Sequence, residues 1–277
     1  MIKLSITCFF LLLEGLGGTS LLAQTTSEIS PFTIGDRITL QSEKLQEERI
    51  LNVYLPHGYS SDSAATYPVI YLLDGSIEED FIHVAGLVQF CSYPWIAHLP
   101  PSIVVGIENV DRQRDFTYPT DRPEYLEQVP TLGGSAAFIS FLREEVKPFI
   151  ESNYAVEGKG MIIGQSLGGL LASEILVRQP DLFDTYLIVS PSLWWDEQSL
   201  FAETPVIIED GINVYIAVGE EGGVMKSVAR KLRKSTKNRN NIDELHFEYV
   251  KHHDHADILH EALYRMFRER GKSRSHP

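Results

Sequence analysis

Cysteine is nearly missing from this chain: among 277 residues there are two, Cys8 and Cys91. Positive charge is scarce as well, with 24 Lys and Arg against 38 Asp and Glu, a formal net charge of -14 and a pI near 5.1. That balance argues against nucleic acid or an anionic membrane surface as partner, and mildly against strongly anionic substrates. Long apolar runs are missing too. The run Ile6 to Leu13 is too short to span a bilayer. It follows Lys3 and precedes Ser20-Leu21-Leu22-Ala23-Gln24, a small-residue cleavage pattern, so residues 1–24 read as a secretory signal peptide. Export to the periplasm or beyond the cell is therefore expected. Cys8 lies inside that segment, without the small residue that a lipoprotein site needs before its cysteine. The mature chain then keeps Cys91 alone, no intramolecular disulfide can form, and the core must hold the fold. Cys91 itself reads as a buried, small apolar residue. Internal repeats, low-complexity tracts and Pro/Gly-rich linkers are absent from residues 35–270. With 43% hydrophobic and 22% charged residues, residues 25–277 are expected to form one domain with a sizeable core.

What the chain does contain is Gly164-Gln165-Ser166-Leu167-Gly168, at the junction of an apolar strand, Met161-Ile162-Ile163, and a helical pattern, Leu167 to Val177. This is the sequence context of a nucleophile elbow. A serine presented on so sharp a turn adopts a strained backbone, and small residues two positions to either side let strand and helix approach closely. A nucleophile of this type takes an acid and then a histidine from later in the chain. Asn213 to Gly219 reads as a buried strand, and Glu220-Glu221 follow it directly. Adjacent residues in extended backbone point to opposite sides, so one of the two glutamates can face the histidine. Asp196 or Glu197, beyond the strand ending near Ser190, are the reserve acids.

Leu245 to Val250 reads as the last strand. After it come Lys251-His252-His253-Asp254-His255, and then Ile258, Leu259, Ala262, Leu263, Met266 and Phe267 mark one face of a closing helix. His252 and His253 directly follow the strand, whereas His255 sits at the helix edge, where its side chain can reach back over the sheet. His255 is the expected base, and His260 reads as ordinary surface. The same histidines, with Asp254 or Asp257, also permit a metal site. A structural zinc would draw ligands from more than one segment, so the base reading is preferred, and neither metal nor cofactor is expected.

The rest of the chain alternates as a mostly parallel sheet requires. Strands are expected at 37–41, 50–55, 69–73, 103–107, 161–163, 186–189, 214–218 and 245–250, and helices at 78–90, 135–150, 167–177, 224–235 and 256–268. That is a doubly wound, mostly parallel eight-stranded α/β sheet with helices on both faces, its first two strands forming an antiparallel edge. Its binding crevice should lie at the carboxyl ends of the strands, where every candidate above falls.

Three further stretches complete a recognisable pattern: Tyr67-Pro68-Val69-Ile70-Tyr71-Leu72-Leu73-Asp74-Gly75, Ile103-Val104-Val105-Gly106-Ile107-Glu108-Asn109, and Arg112-Gln113-Arg114-Asp115-Phe116-Thr117-Tyr118-Pro119. With Gly164 to Gly169, Ser190-Pro191-Ser192-Leu193-Trp194-Trp195 and the histidine segment, they resemble the esterase family of α/β-hydrolases over about residues 35–270. That group includes siderophore, feruloyl and acetyl esterases, S-formylglutathione hydrolases and mycolyltransferases. The resemblance implies an α/β-hydrolase fold, Glu221 as the acid from its spacing after Gly219, and an oxyanion donor at the residue after Asp74-Gly75, which is Ser76. The second donor is the Leu167 N–H at the start of the elbow helix.

The expected chemistry is acyl transfer from an ester to Ser166 and then to water, with His255 moving the proton and Glu221 orienting the imidazole. The substrate is expected to be a small-molecule or carbohydrate-linked ester. An acyltransferase with the same triad and a non-catalytic relative of the fold are the alternatives; the sequence leaves the oligomeric state open. Trp194, Trp195, Phe116 and Tyr118 are read as either pocket lining or lid packing. Arg112 and Arg114 are expected to pair with Asp111, Asp115 or Asp121, with a substrate carboxylate as the alternative partner.

Overall fold

Successive side chains of a strand point to opposite faces. Accordingly Val69, Tyr71 and Leu73 join one buried apolar layer, and Ile70 and Leu72 join another. Both faces of this sheet are therefore covered, which explains why its parallel strands read as nearly continuous apolar runs. The computed structural model describes residues 29–61 and 64–275, so the expected signal peptide lies outside the described residues. Residues 34–277 form one compact unit, and of the separate unit 1–33 the described residues 29–33 carry no helix or strand.

Eight strands lie in the order β1-β2-β4-β3-β5-β6-β7-β8. They are β1 Asp36–Ser42, β2 Glu47–Tyr54, β3 Tyr67–Leu72, β4 Ile103–Ile107, β5 Val156–Gln165, β6 Thr185–Val189, β7 Ile212–Val218 and β8 Ile242–Tyr249. The β1–β2 and β2–β4 pairs are antiparallel, and the pairs from β4 onward are parallel. One face is covered by α1 (Phe81–Cys91) and α8 (Ile258–Ser275), through Val84, Val88, Leu263 and Phe267. Cys91 is fully buried in that layer, and burial pushes its thiol up to about 11, so it acts as an apolar filler.

The other face carries α4 (Ser135–Phe141), α5 (Lys147–Asn153), α6 (Leu167–Arg178) and α7 (Gly223–Lys237). Every residue of α6 from Gly168 to Val177 is buried, which makes it the central helix. Truncating one of its leucines would cost about 2–5 kcal/mol.

Three sequence expectations change. The single helix expected over 135–150 opens into a π turn at Leu142–Val146 between α4 and α5. Pro148 follows at the start of α5; it has no N–H for an i−4 carbonyl and crowds the preceding turn, and a wider turn relieves both. Two short helices, α2 (Arg112–Phe116) and α3 (Pro123–Gln128), fill a stretch too short and too polar to show helical periodicity. Strand β5 also starts five residues before the expected Met161, in Val156-Glu157-Gly158-Lys159-Gly160, where polar residues and glycines hide the pattern.

Candidate active site

Strand β5 ends at Gln165 and α6 begins at Leu167, so the whole reversal falls on Ser166. Its φ of 59° and ψ of -117° belong to a region that L-residues adopt only when their surroundings enforce it. The enforcement is visible. The Ser166 N–H bonds Val189 O on β6 at 3.1 Å, and its carbonyl accepts from Ser192 N at 3.0 Å and Leu170 N at 2.9 Å. Gly164 completes the turn, because a Cβ there would lie 2.3 Å from the Gly168 carbonyl oxygen. The Leu167 N–H opens α6 and has no intrahelical acceptor, so it is a donor beside Ser166 at the positive end of a helix.

Glu221 and His255 meet across the loops after β7 and β8. His255 Nδ1 lies 2.6 Å from Glu221 Oε2, with the glutamate side chain 2% exposed and the histidine 46%. The other oxygen, Oε1, accepts from Gly219 N at 2.9 Å and from the Ser190 hydroxyl. Burial pushes the Glu221 carboxyl up; the bonds from His255, Ser190 and Gly219 outweigh it and hold it below the ordinary carboxylate value. Glu220 points away into solvent and uses its N–H on His253 O at 2.7 Å. Asp196 accepts from Thr120 Oγ1 at 2.6 Å, and Glu197 pairs with Arg122, so both reserve acids are engaged elsewhere.

His252 is exposed, His253 lies 3.3 Å from Asp257, and His260 is exposed with its ring against His83. Among the described residues, no group of three His, Cys, Asp or Glu is placed to hold a metal ion.

Ser166 and His255 bound the same cavity of about 520 Å³, together with Asp74, Glu79, Asp80, Arg112 and Gln165. The Ser166 hydroxyl lies 3.3 Å from Ser192 Oγ, and Gln165 Nε2 holds the histidine loop through His255 O at 2.6 Å. Ser76 is half-buried on the turn after β3 and is not among the residues bounding this cavity. On that turn the Gly75 N–H is taken by Ile107 O at 3.0 Å, and the Ser76 carbonyl accepts from Glu79 N and Phe81 N at 3.2 Å. Gly75 and Gly106 are obligatory there, since a Cβ on either would lie 2.4 Å from the other's backbone.

Several site residues were not singled out for these roles by the sequence reading. Arg112 grips Asp74 through Nε at 2.6 Å and Nη2 at 2.9 Å, while Asn109 donates to the same carboxylate at 2.7 Å. This corrects the partner expected for Arg112. Arg114 does pair with Asp115, at 2.7 Å, as well as with Glu47. Fully buried Arg49 joins Asp115 at 2.7 Å and Glu47 at 2.9 Å, so α2 stands on a rigid ionic base that fixes where Arg112 begins.

The Asp80 carboxyl of this cavity has a raised value. Burial, then Asp74 and Glu79, push it up to about 6 against the pull of Arg112. Ser190 and Ser192 follow β6, between the elbow and the acid strand. The sheet order alone would have drawn attention to them.

The aromatic residues divide. Phe116 and Tyr118 are buried in the core, whereas Trp194 and Trp195 bound a second cavity of about 340 Å³ that also opens on Ser166.

The family model described as "Putative esterase" matches residues 42–260. The ferri-bacillibactin esterase BesA of Bacillus subtilis is 32% identical over 225 residues, which are 74% of this chain and 74% of that protein. Among solved structures, the IroE-like serine hydrolase from Shewanella oneidensis has a TM-score of 0.70 at 30% identity, over 85% of this chain and 79% of that one. The BES protein from Bacillus cereus reaches 0.75 at 26% identity, over 88% and 97%.

Proposed function

Since the chain belongs to this esterase family of α/β-hydrolases, and with it to the carboxylic-ester hydrolases, we propose that it works through a Ser166–His255–Glu221 triad and an acyl-enzyme intermediate, as an exported protein. The observation that carries the reading is the 2.6 Å contact between His255 Nδ1 and a buried Glu221, with His255 bounding the same cavity as Ser166. A carboxylate on Nδ1 keeps the proton there and leaves Nε2 free to accept from the serine. The Ser166 oxygen then attacks the ester carbon. Negative charge develops on the carbonyl oxygen, beside the Leu167 N–H and the α6 dipole, and Ser76 supplies the second donor in this reading.

His255 returns its proton to the departing alkoxide. It next activates a water that releases the acid. With 46% of its side chain exposed, His255 is open to that water, which favours hydrolysis over transfer of the acyl group to another alcohol. The family relatives carry the substrate reading towards siderophore esters, BesA being named for ferri-bacillibactin.

The test is a panel of p-nitrophenyl esters, a triscatecholate lactone and a feruloyl sugar, run on wild type and Ser166→Ala. Wild-type turnover lost in the variant supports the reading. Turnover retained in the variant refutes it, and export is checked by locating the processed protein in cell fractions.

A further inference from the structure

The turn after β3 and the turn after β5 must keep a fixed spacing if a reacting carbonyl oxygen is to sit between them, yet they belong to different strands. Backbone pairing carries β3 along β5 as far as Leu73 N on Ile163 O, at 3.0 Å. Beyond that bond lie Ser76 on one side and Ser166 with Leu167 on the other. We infer that the Asp74–Arg112 ion pair ties the two turns together, and that both are positioning residues which set the distance from the Ser76 N–H to the Leu167 N–H. This rests on the triad reading above and on its two oxyanion donors.

Asp74 is held as an anchor. Its φ of 56° lies in the left-handed region, which a non-glycine residue keeps only when its surroundings enforce it. The carbonyl accepts from Asp80 N at 3.2 Å, which closes the turn that carries Ser76. The carboxylate receives Arg112 Nε and Asn109 Nδ2 on Oδ1, at 2.6 and 2.7 Å, and Arg112 Nη2 on Oδ2 at 2.9 Å. A two-point fork of this kind fixes orientation as well as distance, which a point charge cannot do.

The same guanidinium reaches the elbow. Arg112 Nη2 lies 3.4 Å from Gln165 O, the carbonyl just before Ser166. A Cβ on Gly168 would lie 3.3 Å from Asp74 Oδ2, so the first turn of α6 rests against the carboxylate itself. Arg112 is fixed in turn. Its guanidinium carbon stands 5.5 Å from the centroid of the buried Phe116 ring, and α2 is pinned through Asp115 to Arg49.

The tie matters because oxyanion donors act only when they stand about 3 Å from the place the charged oxygen will take. A misplacement of about 1 Å can cost about 10²-fold in rate. With Nε and Nη2 both spent on Asp74, Arg112 serves the geometry of the turns rather than a carboxylate on the substrate. Its loss should therefore be felt in the chemical step and not in the binding of the ester.

The test is steady-state kinetics on wild type, Arg112→Gln, Asp74→Asn, the double variant, Arg112→Lys and Ser166→Ala, with a neutral, a cationic and an anionic ester, and circular dichroism to confirm folding. Arg112→Gln and Asp74→Asn should each lower kcat by about 10²-fold while KM stays within about threefold. The double variant should be no slower than the slower single one, because each change removes the same tie. Arg112→Lys keeps the charge and loses the fork, so it should still lose about tenfold in kcat; as the mildest change, it carries the test if another variant fails to fold. Affinity for an aryl boronic acid, which forms a tetrahedral adduct on the serine, should fall in step with kcat. The inference is overturned if kcat is unchanged, if the single losses multiply in the double variant, or if Arg112→Lys matches wild type. A loss that appears in KM, or only with the anionic ester, would make Arg112 a substrate contact and overturn it as well. Failure of the triad reading looks different: Ser166→Ala would keep turning over all three esters.

Discussion

Replacing Glu221 by glutamine should be more damaging than its single-atom change suggests, for a reason set by the two oxygens. Oε1 receives the Gly219 N–H at 2.9 Å and the Ser190 hydroxyl, while Oε2 faces His255 Nδ1 at 2.6 Å. An amide N–H can only donate, so Gly219 requires the glutamine oxygen at the Oε1 place. The glutamine NH₂ then points at His255 Nδ1 and forces the imidazole to carry its proton on Nε2, the nitrogen left for Ser166. That tautomer cannot take the serine proton. The loss in kcat/KM should approach 10⁴ at neutral pH, or about 5 kcal/mol of transition-state stabilisation. Glu221→Ala leaves the imidazole free to choose its tautomer, so it should be no worse than Glu221→Gln. Glu220→Gln should be mild.

A stability signature accompanies the kinetic one. The Glu221 carboxyl is held below its ordinary value of 4.5, so its contribution is present above that pH and is lost as pH falls through the folded value. Wild type should exceed Glu221→Gln by about 1–3 kcal/mol in neutral urea melts, and the gap should close in acid. The assay is kcat/KM on one activated ester, with chemical denaturation run in parallel. Near-wild-type turnover in Glu221→Gln, or a severe Glu220→Gln, would refute the assignment of the acid.

Ser166→Ala should fold normally and lose on the order of 10⁶ in kcat; a fluorophosphonate probe should label wild type and not the variant. His255→Ala should be nearly as severe, while His252→Ala, His253→Ala and His260→Ala keep most activity, measured on the same ester with and without a chelator. Gly164→Ala places a methyl group 2.3 Å from the Gly168 carbonyl oxygen, so thermal unfolding should show a loss of about 1–3 kcal/mol together with slower probe labelling. Asp80→Asn should raise stability above pH 6. The raised carboxyl stabilises the fold fully only below its ordinary value of 3.8 and loses that contribution as pH rises through about 6; equal urea midpoints for variant and wild type at neutral pH would sink the idea.

The parts of the site that were legible in the sequence are those that a single short segment determines. Gly164 to Gly168 encodes its own backbone strain, so strand, elbow and helix could be read directly, and so could the order of acid and histidine at later strand ends. Extended backbone said only that one of the two glutamates could face the histidine, and the choice of Glu221 came from the family resemblance; in the structure Glu221 lies against His255 and Glu220 is exposed. What could not be read depends on segments that meet only through the sheet order. Arg112 was expected to pair within its own loop, where Asp111 and Asp115 are near in sequence. The antiparallel β2–β4 pair and the parallel β3–β4 pair instead bring Asp74 within its reach from 38 residues away. Burial strengthens that choice, because Asp115 is already claimed by fully buried Arg49, and no sequence pattern reveals that Arg49 is inside the protein. Local spacing thus gives the candidate residues of the site, whereas the charge of the cavity around them follows from which ion pairs the sheet completes.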